Sequence, residues 1–401
     1  MLTFLLLLTS CSNAGTENQR IDSDRSFSQY STYVCETEDT VYFMTEDSIY
    51  YENLGNYPGS MLYYIDKITG ISGPLCGKPE CGHDSMNCNA YITNVIVLGL
   101  ADYNGRLYWI ANTGEKHYVY SAAYDGTDRQ TVRELGDNDS EVRFEQPVIM
   151  TAFHRGYVYL TSNPSAIVDG EEQYRNYIYA YSLDSGGEDF VILDYESTDW
   201  IDARTQLYGN SMYIFLLDRS KEDGTSKLLK WDVETHELET LFDGKTPFAP
   251  TVDFWATEEG VFLIGTTFND PVTDKEGNGV WERNVYFYDF SAGEFELLFP
   301  IIGAGGITFG FSDGLFTVKN DRELWRNPEN AFDITVYDFN GQTVFADTFD
   351  TNILPFYVGM MHFAGADEKN LYFYTNFTGY LVCIPLDGGE PTVLHGNWTW
   401  D

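Results

Sequence analysis

Short segments of alternating apolar and polar residues recur along the chain from about residue 39 to near its end. Each repeat opens with an aromatic-rich segment that follows a turn, and a second and often a third segment come after it. An alternation with a period of two residues is typical of half-buried β-strands. The opening segments are DTVYFM from Asp39, GRLYWI from Gly105, GYVYLT from Gly156, NSMYIF from Asn210, EGVFLI from Glu259, DGLFTV from Asp313 and NLYFYT from Asn370.

The repeat has a period of roughly 50 residues, which is the range of propeller blades. One blade cannot bury both of its faces, so neighbouring blades must stack, and a closed ring protects the sheet edges. We therefore predict an all-β fold, a single β-propeller of seven blades with four antiparallel strands each, with six or eight blades as alternatives. The predicted blades begin near Tyr30, Ile92, Gln146, Asp199, Thr251, Gly306 and Phe356.

The composition restricts the partners of such a ring. Aromatic residues make up 16% of the chain, and we attribute them to rings packed between blades. The net charge is −39, which excludes nucleic-acid binding, because neutralising phosphates requires an excess of Lys and Arg. The same charge disfavours anionic polymers and lipid headgroups, and favours cationic, neutral or carbohydrate partners.

The N-terminus predicts the location of the protein. The apolar run from Leu2 to Leu8 is too short to span a bilayer and matches the hydrophobic region of a secretory signal. Leu8-Thr9-Ser10-Cys11 then resembles a bacterial lipobox, in which the chain is cut before the cysteine and that cysteine is lipidated. The alternative is a plain secretory signal in which Cys11 is incidental.

These features divide the chain into residues 1–11 as lipoprotein signal and lipidated Cys11, 12–29 as a flexible polar tether, and 30–401 as the propeller. We expect an extracytoplasmic protein on the outer face of the bacterial cell membrane. The lipid would be its sole contact with the membrane.

One compact motif follows the third predicted strand of blade one. Cys76, Cys81, His83 and Cys88 have the spacing C-x4-C-x-H-x4-C. Three thiols and one imidazole can close a tetrahedral zinc site, whereas thiols outside the membrane more often form disulfides. Zinc at these residues is the one cofactor that the sequence leaves open; we otherwise expect none.

Without Cys11, five cysteines remain, and an odd number cannot all pair. We interpret Cys383 as a buried free thiol. Three alternatives stay open for the others: one or two disulfides among Cys35, Cys76, Cys81 and Cys88, a metal site, or free thiols. In each case the segment fastens the crossover between the first two blades, and we expect it near the mouth of the central channel.

At the level of repeat and turn, the chain resembles the TolB/YncE-like, low-density-lipoprotein-receptor-like propeller lipoproteins of Gram-positive gut bacteria. The stretch from Leu75 to Tyr91, with the pattern LC-x-KP-x-C-x-H followed by CNAY, resembles a segment of the same group. The resemblance implies the propeller fold and the lipid anchor. It implies no function, because propellers carry many unrelated activities.

No catalytic motif stands out: the G-x-S-x-G elbow, the phosphate-binding loop and the H-E-x-x-H pair are all absent from the sequence. Five residues fall in or near predicted innermost strands, which line a propeller channel. These channel-lining candidates are His154, His362, Asp199, Asp202 and Asp253. Repeat equivalence alone also accounts for polar residues at such positions.

We therefore expect a monomeric, surface-anchored platform that binds an unknown ligand or protein partner without chemistry of its own. One alternative is an extracellular carbohydrate-active enzyme, a glycosidase or lyase, which requires acids or histidines that converge near exposed aromatic rings. Another is a sensor or assembly subunit of a membrane complex, which requires a large exposed apolar patch.

Overall fold

The computed structural model describes most of the chain beyond the N-terminal segment. The described residues are 34–46, 60–83, 87–92, 96–112, 117–135, 149–162, 165–218, 220–221, 224–266, 272–273, 279–280, 283–301, 307–311, 314–319, 332–349, 361–366, 370–375 and 381–395. The predicted signal, Cys11 and the predicted tether lie outside these residues. No helix in the described part is long and apolar enough to cross a membrane.

Every regular element in the described residues is a β-strand. The strands are β1 (Val34–Glu36), β2 (Thr40–Glu46), β3 (Ser60–Asp66), β4 (Ser72–Pro74), β5 (Tyr91–Ile92), β6 (Ile96–Tyr103), β7 (Arg106–Asn112), β8 (His117–Ala122), β9 (Gln130–Leu135), β10 (Ile149–His154), β11 (Tyr157–Ser162), β12 (Ser165–Val168), β13 (Glu171–Ser182), β14 (Phe190–Ser197), β15 (Ile201–Tyr208), β16 (Ser211–Asp218), β17 (Thr225–Asp232), β18 (Leu238–Lys245), β19 (Ala249–Ala256), β20 (Gly260–Thr266), β21 (Val272–Thr273), β22 (Gly279–Val280), β23 (Arg283–Asp289), β24 (Glu294–Ile301), β25 (Ile307–Phe311), β26 (Gly314–Lys319), β27 (Phe332–Asp338), β28 (Thr343–Phe349), β29 (Met361–Ala366), β30 (Asn370–Thr375), β31 (Leu381–Pro385) and β32 (Thr392–His395).

These strands form seven antiparallel sheets of four or five strands, and β21 and β22 form a separate short hairpin. Each sheet is built from one continuous stretch of chain, and its main strands follow one another in chain order. In addition, β5 pairs with β3 and β12 pairs with β13. We number the sheets as blades one to seven in chain order. Their first strands are β1, β6, β10, β15, β19, β25 and β29, and they begin within five residues of the predicted blade starts.

The seven sheets form a ring. The first strand of each blade lies against the neighbouring blade in chain order, and β1 of the first blade contacts β29 of the last. The prediction of an all-β propeller is therefore confirmed. Because the first strands touch one another around the ring, they are the innermost strands, and the fourth strands lie at the periphery.

Apolar clusters fill the space between neighbouring blades. Between blades three and four, Tyr159 packs edge-on against Trp231 at 5.8 Å between ring centroids, and both side chains are almost fully buried. Equivalent clusters lie between blades one and two, two and three, four and five, five and six, and seven and one. Aromatic pairs of this kind add about 0.5–1.5 kcal/mol to the stabilisation from buried area. The aromatic excess thus has its predicted structural use at these interfaces.

Six blades share one side-chain-to-backbone hydrogen bond in the turn between their third and fourth strands. An aspartate at the end of the third strand, or two to three residues after it, accepts a hydrogen bond from the backbone N–H two residues further on. The six are Asp66, Asp125, Asp232, Asp289, Asp338 and Asp387. Antiparallel meanders place all these turns on one face of the ring, so part of the negative charge has a structural role in the turns.

We expect Asp232→Ala to lower the free energy of unfolding by about 1–2 kcal/mol, because hydrogen bonds to a charged group are lost. Asp232 Oδ1 accepts the backbone N–H groups of Glu234 at 2.9 Å and Thr235 at 2.7 Å. Asp232→Asn is the matched control, since it keeps an acceptor oxygen and removes only the charge. Urea unfolding of the three proteins measures the difference, and equal losses in both variants would contradict this role.

The pH dependence follows from the same contacts. The N–H groups of Thr235 and Glu234 hold the pKa of Asp232 below its ordinary value. A lowered folded-state pKa stabilises the fold above the ordinary Asp pKa of about 4, and that stabilisation is lost as the pH falls through the lowered value. We therefore expect the gap in stability between the wild type and Asp232→Asn to shrink below about pH 4.

Candidate functional site

The cysteine motif lies between β4 and β5, the two strands at the outer edge of blade one. β4 pairs with β3 at Tyr63–Ile65, and after a long excursion β5 pairs with the same strand at Ser60–Met61. We call the excursion, residues 75–90, the cysteine segment. The prediction that it lies near the channel mouth is wrong, because the chain returns to the edge of β3 before it crosses to β6. The segment therefore begins and ends at the periphery of the ring.

Backbone contacts join the cysteine segment to both adjacent blades. On the side of blade one, the Leu75 N–H donates to the Leu62 carbonyl, and the Leu62 N–H donates to the Ala90 carbonyl. On the side of blade two, the segment meets the turn between β8 and β9. A Cβ at Gly126, whose φ is +75°, would lie 2.2 Å from the carbonyl oxygen of Leu75. The segment thus bridges two blades through close backbone packing.

The four residues of the motif converge on one point. One ligand atom from each of Cys76, Cys81, His83 and Cys88 lies within 4.8 Å of the other three. His83 Nδ1 is 3.3 Å from the Cys88 sulfur. Cys88 is buried and the other three are half-buried. The sequence spacing therefore predicted a real spatial cluster, which we call the thiol–imidazole cluster.

Backbone N–H groups point at the sulfur atoms of this cluster. The N–H of Ala90 donates to the Cys88 sulfur at 3.3 Å. Burial raises the pKa of the Cys88 thiol to about 11. Burial also acts to raise the pKa of Cys76, but hydrogen bonds from the N–H groups of Lys78 and Asn89 outweigh it and lower that pKa. The surroundings thus already favour negative charge on Cys76.

Arg129 is a member of the surroundings that the sequence did not reveal. Its Nη1 donates to the Tyr91 carbonyl at 2.8 Å, and the guanidinium lies over the Trp109 ring. Burial lowers the pKa of Arg129, and its charge interacts with the thiols of Cys88 and Cys76. Its Nε and Nη2 are buried without a hydrogen-bond partner in the described part of the chain. Arg129 directly precedes β9 of blade two, so no sequence spacing linked it to the motif.

The remaining cysteines lie outside the cluster. Cys35 belongs to β1, the innermost strand of blade one, and packs against the apolar cluster between blades one and two. Cys383 is half-buried in β31 of blade seven rather than fully buried, and its free thiol stays a prediction. Among the described residues, the thiol–imidazole cluster is the one group of His, Cys, Asp and Glu whose ligand atoms converge closely enough for a metal ion.

The described channel-lining candidates take part in local contacts. His154, at the end of β10, is buried, and its Nε2 lies 2.7 Å from the Gly209 carbonyl of blade four. Asp202 pairs with Arg204 at 2.8 Å on β15. Asp199 is exposed in the connection before β15, and its N–H bonds the Ser197 hydroxyl. The structure therefore ties His154 to an interface between blades.

The other two channel-lining candidates are only partly described. Asp253 lies in β19 and His362 in β29. Their side chains lie outside the described residues, so their channel-lining role stays a prediction.

No protein-family model matches the chain, and no curated protein matches its sequence. Solved structures with a similar fold are found. One is an acylaminoacyl peptidase in complex with Z-Gly-Gly-Phe-chloromethyl ketone, with 11% identity and a TM-score of 0.53 over 93% of this chain and 54% of that chain. Another is the Pyrococcus horikoshii acylaminoacyl peptidase, with 13% identity and a TM-score of 0.52 over 93% of this chain and 53% of that one.

The β-propeller domain of the Trilobed protease from Pyrococcus furiosus is also similar, with 10% identity and a TM-score of 0.49 over 91% of this chain and 98% of that domain. The chain spans about half the length of the two peptidases. Likeness at these identities shows the fold alone and brings no activity with it. The finer resemblance to TolB/YncE-like lipoproteins stays a prediction.

We expect Gly126→Ala to destabilise the protein more than Gly105→Ala. Both glycines have φ near +75°, but a Cβ at Gly105 would meet nothing within 4 Å. The left-handed conformation costs each variant about 1–2 kcal/mol. The clash with Leu75 should cost Gly126→Ala about 1–3 kcal/mol more. Urea unfolding measures the difference, and equal losses would show that the cysteine segment does not press on this turn.

Proposed function

We propose that the protein is a lipid-anchored extracytoplasmic propeller that serves as a non-catalytic binding platform. The observation that carries the proposal is the order of the sequence: a short apolar run, the lipobox-like Leu8-Thr9-Ser10-Cys11, a polar tether, and then the ring. A secretory signal followed by a cysteine at this position is what a lipoprotein needs. A rigid ring held away from the membrane by a tether can present its faces to partners outside the cell.

Two features of the described residues support a platform without chemistry. His154 and Asp202 are engaged with neighbouring backbone and side-chain groups, which is typical of structural roles. In the described part of the chain, the group of His, Cys, Asp and Glu side chains whose ligand atoms converge is the thiol–imidazole cluster at the periphery. A metal ion held there by four protein ligands would have no coordination position left for a substrate. The net charge of −39 favours cationic or neutral ligands.

The lipid anchor can be tested directly. Cells that express the full chain are fed a fatty acid with a chemical label, and the membranes are separated. We expect the wild type to carry the label and to leave the membrane only with detergent, and we expect Cys11→Ala to lose the label. Cys35→Ser is the matched control and should behave as the wild type. A Cys11→Ala variant that keeps the label would refute the anchor.

The non-catalytic role requires a different experiment. The protein is incubated with panels of neutral oligosaccharides and basic peptides, and bound material is recovered and weighed by mass spectrometry. We expect bound ligands to be recovered chemically intact. Binding of basic peptides should weaken as salt rises, because the attraction is screened. Cleavage of a recovered oligosaccharide would instead establish the carbohydrate-active enzyme that is the alternative function.

A further inference from the structure

We propose that Cys76, Cys81, His83 and Cys88 bind one Zn²⁺ in a closed, structural site that fastens the cysteine segment to blades one and two. This inference is independent of the lipid anchor and of any ligand of the platform. For these cysteines the sequence leaves disulfides, a metal site or free thiols open, and the inference selects the metal site.

The geometry favours a metal ion at the centre of the cluster. With Zn–S near 2.3 Å and Zn–N near 2.0–2.1 Å, a tetrahedral site separates its sulfur atoms by about 3.8 Å and sulfur from nitrogen by about 3.5 Å. All four ligand atoms lie within 4.8 Å of one another, and His83 Nδ1 is 3.3 Å from the Cys88 sulfur. A disulfide would join two of these sulfurs and leave the third thiol and the imidazole unexplained.

The donor set selects the metal. Three thiolates and one imidazole are soft and borderline ligands in a four-fold arrangement, which zinc prefers among the common divalent ions. All four positions are filled by the protein, so the site is structural rather than catalytic.

The surroundings fit the charge of such a site. A Zn²⁺ ion with three thiolates carries a formal charge of −1, and a half-buried negative charge requires a positive partner. Arg129 supplies it: the guanidinium is largely buried, interacts with Cys76 and Cys88, and keeps its Nε and Nη2 without a hydrogen-bond partner in the described residues. The N–H of Ala90 also donates to the Cys88 sulfur, as outer groups do around metal-bound thiolates.

The cysteine segment also requires a cross-link to hold it in one conformation. Its described residues contain no strand, and the stretch is too short to build an apolar core of its own. A metal bound by four of its side chains supplies order that such a segment cannot obtain by burial. Since the segment packs on Leu62 of blade one and on Gly126 of blade two, ordering it also holds these two blades together.

The test uses the full chain, purified under reducing conditions and loaded with zinc. We expect one zinc per chain in the wild type and in Cys35→Ser, whose cysteine lies outside the cluster. Cys81→Ser should hold no stoichiometric zinc. Wild-type protein that binds no more zinc than Cys81→Ser would overturn the proposal.

Cobalt(II) provides a measurement that needs no variant. We expect the wild-type protein to give the absorption bands of a tetrahedral cobalt site with thiolate ligands. An octahedral spectrum would overturn the proposal. So would a disulfide among Cys76, Cys81 and Cys88 in protein taken from the cell envelope with its thiols blocked.

Arg129 can be tested against a closely matched arginine. Arg129→Met should weaken zinc affinity by about 10–100-fold in competition with a chelator, as the loss of outer-shell partners does. Arg133→Met is the control, because Arg133 lies four residues further along the chain, within β9, but pairs with Asp189. Equal affinities in both variants would contradict the assigned role of Arg129.

Protease digestion tests whether the metal orders the cysteine segment. Glu80 is exposed within the cysteine segment and offers a site for a glutamate-specific endoproteinase, whereas the bond after Lys78 leads into Pro79 and resists trypsin. We expect rapid cleavage there after chelation and slow cleavage in the zinc-loaded protein. Equal rates in the two states would show that the metal does not order the segment.

Discussion

The burial of aromatic side chains between neighbouring blades is the interaction on which the rest of the structure depends. Each blade is an antiparallel sheet of four or five strands with two apolar faces, and neither face can be covered by the blade itself. Pairs such as Tyr159 and Trp231 bury large rings at one interface, and the equivalent clusters repeat this around the ring. The dominant stabilisation therefore lies across blades, so one blade removed from the ring would lose the packing of both its faces.

Polar contacts refine this arrangement at the ends of the strands. The turn aspartates stabilise hairpins within a blade, while other groups join one blade to the next. Arg133 of blade two bonds the Ser182 carbonyl and Asp189 of blade three, and Tyr288 of blade five donates to the Leu241 carbonyl of blade four. These bonds satisfy two backbone carbonyls and one carboxylate between blades whose contacts are otherwise apolar. The polar groups therefore set the alignment of blades that the apolar clusters hold together.

The sequence revealed the fold because its signal was repeated. A single apolar segment such as GVFLI is ambiguous, but seven aromatic segments at one period leave few architectures. The thiol–imidazole cluster was also visible, since its four members lie within thirteen residues, from Cys76 to Cys88. Arg129 and Gly126 were not visible, because they reach the cluster from the next blade through tertiary packing. The peripheral position of the segment was missed because the return of the chain as β5 depends on two residues of strand pairing.

One consequence concerns the seam of the ring. Blade one contains only the first five strands and blade seven only the last four, so within the described residues no strand is shared between them. Side chains such as Phe43 and Tyr372 join the two blades across this boundary. A pulling force on the N-terminus would act first on β1, a three-residue strand beside this boundary. The chain runs directly from each of the other blades to the next, whereas in the described residues the closure of the ring at this boundary depends on side-chain packing.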